Sequence, residues 1–285
     1  MISTVERGTV EVQGASLYYE VIGEGAPLVL LHGFSFDSSL WDGQVEEFAK
    51  TYRVLRYDLR GFGRSNADAV PYSHARDLKA LLEKLDIRDP LLIGSSLGGG
   101  AVLNFAITFP GIAKAIVLVA PSLGGFQWSA NVVSAQTSML QKVREKGIDT
   151  ARAVWLRQMI FRHAMKNAPV AARIRSMAER YSGWHWTHAD LGIPMKPPAI
   201  ERLGEIHVPT LVLVGDADAS DHLQIAEILE RGIPGARKIV IPDVGHLVNL
   251  ETPGLFNRQV LEFLDGTQKH KKRLHLPASK HSPEH

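Results

Sequence analysis

The feature that most limits the fold is a series of apolar runs too short to be helices. Residues 27–31, 53–57, 91–93, 115–119, 210–214 and 238–241 each read as a strand, and several are apolar at consecutive positions. Such a strand is buried on both faces, the pattern of a parallel sheet covered by helices. Between the runs the spacing changes. Residues 40–50, 72–85, 97–109, 223–231 and 253–264 read as helices, and the third of these is rich in small residues and stops at Pro110. Two further strands, 9–12 and 17–21, alternate apolar and polar residues around Gln13-Gly14 and read as a hairpin. This alternation of strand and helix predicts an α/β fold with a parallel sheet.

The pattern lapses once. From 123 to 207, about 85 residues, no convincing buried strand occurs, and the segment is helical and aromatic, with Trp128, Trp155, Trp184 and Trp186. A long insertion at the end of a strand stands beside the crevice where α/β sheets bind ligands, so it is expected to carry part of the site. The domain reading is therefore a core of 1–122 and 208–266, a helical insertion of 123–207, and a tail of 267–285. The tail has no periodic apolar face and is expected to be disordered.

Composition excludes several classes. With 45% hydrophobic and 22% charged residues, the 285-residue chain has the makings of a large core. Its net charge of +2 is misleading. The tail holds Lys269, Lys271, Lys272, Arg273 and Lys280 against Glu284 alone, which leaves residues 1–266 at net −2. That body has no bias toward nucleic acid. No run of about 18 apolar residues is present, so no membrane span is expected. The first residues show no signal-peptide pattern and cysteine is absent, which fits a cytoplasmic protein and removes disulfides and thiolate chemistry. His270, His275, His281 and His285 in the tail lack ligand spacing, and no HExxH run occurs, so no metal and no cofactor are expected.

The chemistry is concentrated at strand ends. Gly94-Ser95-Ser96-Leu97-Gly98 matches G-x-S-x-G and lies between a strand and a helix, the context that motif requires. The small residues let backbone pack around a strained turn with Ser96 at its apex. A serine hydroxyl needs a base. His246, in the loop after the last strand, stands at the same sheet edge; His32 also follows a strand but precedes Gly33 in what reads as an oxyanion loop. The base needs an acid to orient it. Asp218 lies beyond the turn after 210–214 and is preferred, with Asp216 second and Asp221 third. Backbone N–H groups of Phe34 and Leu97 are the candidate oxyanion donors.

With these elements the chain resembles the α/β-hydrolase superfamily, in its serine-nucleophile branch with a helical cap, over about residues 9–264. The resemblance rests on His32-Gly33-Phe34, on residues 58–65 (DLRGFGRS), on the turn at Ser96, on Gly215 with Asp218, and on Gly245-His246. It implies an eight-stranded, mostly parallel sheet, a cap after the sixth strand, and a Ser96–Asp218–His246 triad. In the family, 58–65 is a structural turn in which Asp58 and Arg60 bond across loops. An aspartate at the apex would indicate a dehalogenase or epoxide hydrolase; a serine implies an acyl-enzyme.

The expected substrate is a small-molecule ester or lactone with a hydrophobic acyl or aromatic group. His32, Phe126, Trp155, Trp184 and Trp186 are the candidate binding residues. Arg152, Arg157, Arg162, Arg173 and Arg175 are candidates for recognising a carboxylate, as an enol-lactonase or a C–C bond hydrolase needs. A perhydrolase, a ligand sensor and a cofactor-free oxygenase are further readings on the same fold. The oligomeric state is not legible.

Overall fold

The computed structural model describes residues 4–188 and 191–274. The chain opens with a hairpin, β1 (Glu6–Val12) and β2 (Ala15–Ile22), turned at Gln13-Gly14 with Gly14 at φ +68°. Then come β3 (Ala26–Leu31), α1 (Asp42–Phe48), β4 (Tyr52–Tyr57), α2 (His74–Lys84), β5 (Leu91–Ser95), α3 (Leu97–Thr108) and β6 (Ala115–Val119). The inserted segment holds α4 (Ala130–Trp155), broken at Gly147, with α5 (Ala168–Arg180), α6 (Trp184–Thr187) and short 3-10 turns. The sheet resumes with β7 (Thr210–Gly215), α7 (Ser220–Gly232), β8 (Arg237–Ile241), α8 (Val248–Glu251) and α9 (Pro253–Leu274).

The eight strands form one sheet in the order β1-β2-β4-β3-β5-β6-β7-β8. β1 and β2 pair antiparallel, as do β2 and β4, and every later pairing is parallel. The consecutive apolar runs divide by strand periodicity. In β3, Val29 and Leu31 face a layer with Leu78 of α2, Val102 of α3 and Ile225 of α7. Leu28 and Leu30 face the other layer, with Phe48 of α1 and Phe256 of α9. β6 and β7 split in the same way, so an unbroken apolar run serves two cores at once.

Residues 120–209 leave from the C-terminal end of β6 and return to the start of β7, and those described add no strand to the sheet. α9 is longer than periodicity suggests and runs to Leu274, past the point where an irregular tail was expected. Gln, Lys and Arg are favourable helix residues, so the polar composition that argued against a packed face does not argue against a helix. The rest of the expected tail lies outside the described residues. Among the described residues no helix is long and apolar enough to cross a membrane.

The 58–65 stretch braces the sheet edge. Arg60 is 1% exposed and donates from Nε and Nη2 to both oxygens of Asp77 on α2, at 2.9 and 2.7 Å. It also donates to the carbonyls of Gln13 and Gly14, both at 2.6 Å, which ties the hairpin turn to α2. Asp58 accepts the N–H groups of Ser38 (2.7 Å) and Arg64 (2.8 Å). Burial outweighs the guanidinium and holds the Asp77 carboxyl above its ordinary range. The pair is costly to bury and costlier to break. Arg60→Met is expected to lower unfolding free energy by about 3–5 kcal/mol. Urea titration should show a lower midpoint with an unchanged slope; an unshifted midpoint would remove the pair as a brace.

Candidate active site

The turn from β5 to α3 is built by steric exclusion. Ser96 has φ 51° and ψ −112°, a conformation that costs a non-glycine residue about 1–3 kcal/mol. Its N–H donates to the Val119 carbonyl at 2.9 Å, and its carbonyl accepts the N–H groups of Gly100 and Ser122, both at 3.0 Å. A Cβ on Gly94 would overlap the Gly98 carbonyl, and a Cβ on Gly98 would overlap the Leu31 carbonyl. The absence of these two side chains is what lets α3 begin directly above β3 and β5. Leu97 is the first residue of α3, where the helix offers its N–H no acceptor. A Cβ on Gly33 would lie 3.4 Å from Ser96 Cβ, so the loop bearing Phe34 runs beside the serine.

His32 holds that loop from beneath. It is fully buried; its Nε2 accepts the Leu59 N–H at 2.9 Å, and Nδ1 donates to the Gly33 carbonyl at 2.8 Å. Burial lowers its pKa, against the opposing charge of Asp58. Both ring nitrogens are thus used within the protein. This corrects the expectation of a substrate contact: His32 links 58–65 to the loop before Phe34.

The loops after β7 and β8 meet at the same edge. A Cβ on Gly215 would overlap the Val244 carbonyl, and the Ala217 N–H donates to that carbonyl at 3.0 Å. The three candidate acids take separate partners. Asp216 accepts the Asp243 N–H at 2.8 Å. Asp221 accepts the N–H and hydroxyl of Ser129 at 2.7 and 3.0 Å, just before α4. Asp218 faces His246: Oδ2 lies 2.8 Å from Nδ1, with the carboxylate fully buried and the imidazole 2% exposed. Burial alone would raise the Asp218 pKa, but the charge and hydrogen bond of His246 hold it below its ordinary value.

A second histidine stands there that sequence reasoning missed. The His222 ring lies 4.3 Å from that of His246, centre to centre, and its Nδ1 is 3.7 Å from Asp218 Oδ1, beyond hydrogen-bond reach. Burial, then the charge of His246, push its pKa down to about 4, so it is neutral at pH 7. Its signal is its place one helical turn after Asp218. Among the described residues Asp218, His222 and His246 are the one cluster of metal-type donors, with ligand atoms within 4.8 Å of each other. Linear spacing conceals it, because His246 lies far along the chain.

The inserted segment covers the Phe34 loop with aromatic rings. Phe34 has ring centres of Trp155, Tyr181, His185 and Trp186 at 5.3, 5.7, 5.8 and 6.1 Å. Trp155 Nε1 donates to Ser35 Oγ at 2.6 Å. Phe126 packs on Trp128, which packs on His222. Trp184 goes elsewhere: it stacks on His188 at 4.7 Å and sits edge-on to Tyr72. The arginines are also engaged elsewhere or exposed. Arg152 donates to the Tyr181 carbonyl and Asp149, and Arg173 to the Ser39 carbonyl, while Arg157, Arg162 and Arg175 are exposed.

Comparison with known proteins agrees with this architecture. The model of the Alpha/beta hydrolase family matches residues 28–259. A 2-hydroxy-6-oxononadienedioate/2-hydroxy-6-oxononatrienedioate hydrolase of Paraburkholderia xenovorans is 30% identical over 274 residues, covering 91% of this chain and 93% of the relative. Among solved structures, a thermophilic esterase from Thermogutta terrifontis is 28% identical, with a TM-score of 0.79 over 92% of this chain and 99% of that one. The enol-lactonase from Burkholderia xenovorans is also 28% identical, with a TM-score of 0.75 over 90% and 100%.

The turn at Ser96 makes a steric prediction. Gly98→Ala drives a methyl group into the Leu31 and His32 carbonyls and is expected to cost about 1–3 kcal/mol or more. Gly254→Ala, where a Cβ meets nothing within 4 Å, should change stability by no more than about 1 kcal/mol. Equal melting temperatures for the two variants would contradict the close approach.

Proposed function

Because the chain belongs to the alpha/beta hydrolase family, we propose that it is a serine hydrolase that cleaves uncharged carboxylic esters through an acyl-enzyme. The observation that carries this reading is the buried Asp218–His246 hydrogen bond of 2.8 Å, at the sheet edge where Ser96 is held at φ 51°. In the proposed mechanism His246 Nε2 takes the Ser96 hydroxyl proton as Oγ attacks the ester carbonyl. Asp218 fixes the tautomer and stabilises the imidazolium. The N–H groups of Phe34 and Leu97 receive the developing oxyanion, and no side chain must be ordered to supply them. His246 then passes its proton to the departing alcohol. Water, deprotonated by the same imidazole, releases the acid and restores Ser96.

The substrate class follows from what surrounds the site. We treat residues 123–207 as a cap whose Trp155 and Trp186 present an apolar wall over Phe34, with Phe126 on the His222 side. Apolar walls with few polar groups favour a hydrophobic acyl or aromatic moiety. The P. xenovorans relative is named for dicarboxylate substrates. The cap arginines here are bonded within the protein or exposed, which favours a neutral ester. The similarity to an enol-lactonase supports a lactone as the second choice, since an internal ester opens by the same steps.

Turnover of short- and medium-chain p-nitrophenyl esters is the direct test. Ser96→Ala should abolish release, and Asp218→Asn should lower kcat by about 10⁴-fold. Asp216→Asn and Asp221→Asn should each stay within about tenfold of the wild type, because their partners lie outside the acid–histidine pair. Activity that survives Ser96→Ala would remove the acyl-enzyme route.

A further inference from the structure

His246 is flanked by two backbone N–H groups that one carboxylate receives. Glu251, at the end of α8, accepts the Gly245 N–H at Oε2 (2.9 Å) and the Leu247 N–H at Oε1 (3.1 Å). Its side chain is only 6% exposed. The carboxylate therefore spans the residues on either side of His246 and fixes the backbone from which that imidazole projects. A buried carboxylate is stable as an anion only with further compensation. It comes from the inserted segment: His163 Nδ1 lies 2.6 Å from Glu251 Oε2. The approach is tight, since a Cβ on Gly245 would lie 2.8 Å from His163 Cβ.

The other nitrogen of His163 is used as well. Nε2 lies 3.2 Å from Asp243 Oδ1, in the loop after β8. Ionised carboxylates only accept hydrogen bonds, so an imidazolium is the form of His163 that can donate to both, whereas a neutral ring can donate to one. We propose that Glu251 is a positioning residue for His246, and that His163 makes this positioning depend on the seating of the inserted segment. The proposal rests on His246 acting as the base.

The charged groups facing His163 are Glu251 from α8, Asp243 from the β8 loop and Lys166 from its own neighbourhood. The hydrogen bond to Glu251 raises the His163 pKa most; burial opposes it, the Asp243 contact adds to it, and Lys166 lowers it. The sign follows. A raised folded pKa means the charged, doubly donating contact is fully present at low pH, and that it loses its charge and one of its two donors as pH rises through that raised value. The ring cover on Phe34 comes from the same segment, so substrate binding should weaken along with it.

The experiment is ester turnover from about pH 5 to about pH 9, the span in which a histidine charge changes, with amide exchange at Gly245 and Leu247. His163→Gln is expected to raise KM about 3- to 10-fold at the acid end, more than it lowers kcat, and to differ less from the wild type at the alkaline end. Glu251→Gln has one acceptor oxygen for two N–H donors. It should lower kcat about 10- to 100-fold and speed exchange at both amides at least about tenfold. A His163→Gln KM that parallels the wild type at every pH overturns the His163 link. Unaltered exchange and kcat in Glu251→Gln overturn its positioning role. His246→Ala separates this from the parent reading: if that variant still turns over ester, His246 is not the base, whereas exchange at the two amides still reports on Glu251.

Discussion

The site depends on one backbone turn, the step from β5 into α3 at Ser96. A positive φ there is unfavourable for serine, and it persists because its alternatives are blocked. Gly94 and Gly98 bring α3 against carbonyls that any side chain would strike, and Ser96 is anchored through both its N–H and its carbonyl. The anchoring reaches across the sheet. Ser96 N–H bonds the end of β6, Ala120 N–H bonds Leu213 on β7, and Asp216 N–H bonds Ile241 at the end of β8. These three bonds bring the ends of four strands level. The loops carrying Ser96, Asp218 and His246 therefore start from one row, and a short excursion suffices to bring Asp218 against His246.

Charge at that edge is handled by giving each acid its own partner. A carboxylate buried like Asp218 is tolerable only if paired and hydrogen-bonded. It has the His246 Nδ1 contact and the Ala219 N–H at 2.7 Å. Asp216 and Asp221 are spent on backbone, one shaping the turn before His246 and the other holding the approach to α4. His222 contributes a neutral ring rather than a charge. Burial disfavours its charged form, its Nδ1 stands 3.7 Å from Asp218, and its ring packs edge-on against that of His246.

Much of the fold was legible because burial on both faces leaves a simple trace. Consecutive apolar residues in 28–31, 115–119 and 210–214 mark strands whose two faces meet different helical layers. The end of α9 was not legible, since its last turns have no apolar periodicity and only helix propensity to mark them. Within the candidate site, residue types at strand ends pointed to loops that the fold places at one edge of the sheet. Contacts between distant segments left no mark. His32 reads as a site histidine by position, yet both its nitrogens are taken by backbone. His163 and Glu251 meet across 88 positions, and neither lies in a motif that anticipates the other. Trp184 and Trp186 are two residues apart in a run that reads as one cluster, but successive helical positions face different ways, and only Trp186 reaches Phe34.

How the inserted segment is held bears on what it can do. Its polar ties to the core are spread over its length: Ser129 on Asp221, Trp155 on Ser35, His163 on Glu251 and Asp243, Arg173 on Ser39, Arg180 on Asp37 and Ser39, and the backbone of Leu191 and Ile193 on Tyr72. The Arg180 side chain is about half exposed while Asp37 is nearly buried, so solvent screens this ion pair only in part. Much of the adhesion comes from apolar burial, both of rings on Phe34 and Phe62 and of aliphatic side chains such as Val170, Ile174 and Met177 in the core, and burial scales roughly with area. Register is what the polar ties can supply, because a hydrogen bond is lost within a shift of about 1 Å while apolar contact is not. Apolar burial thus supplies the bulk of the contact, and the polar ties define where the segment seats. The Glu251 carboxylate is the tie that lies next to His246, so it is the point at which the seating of the cover and the geometry of the imidazole are physically the same question.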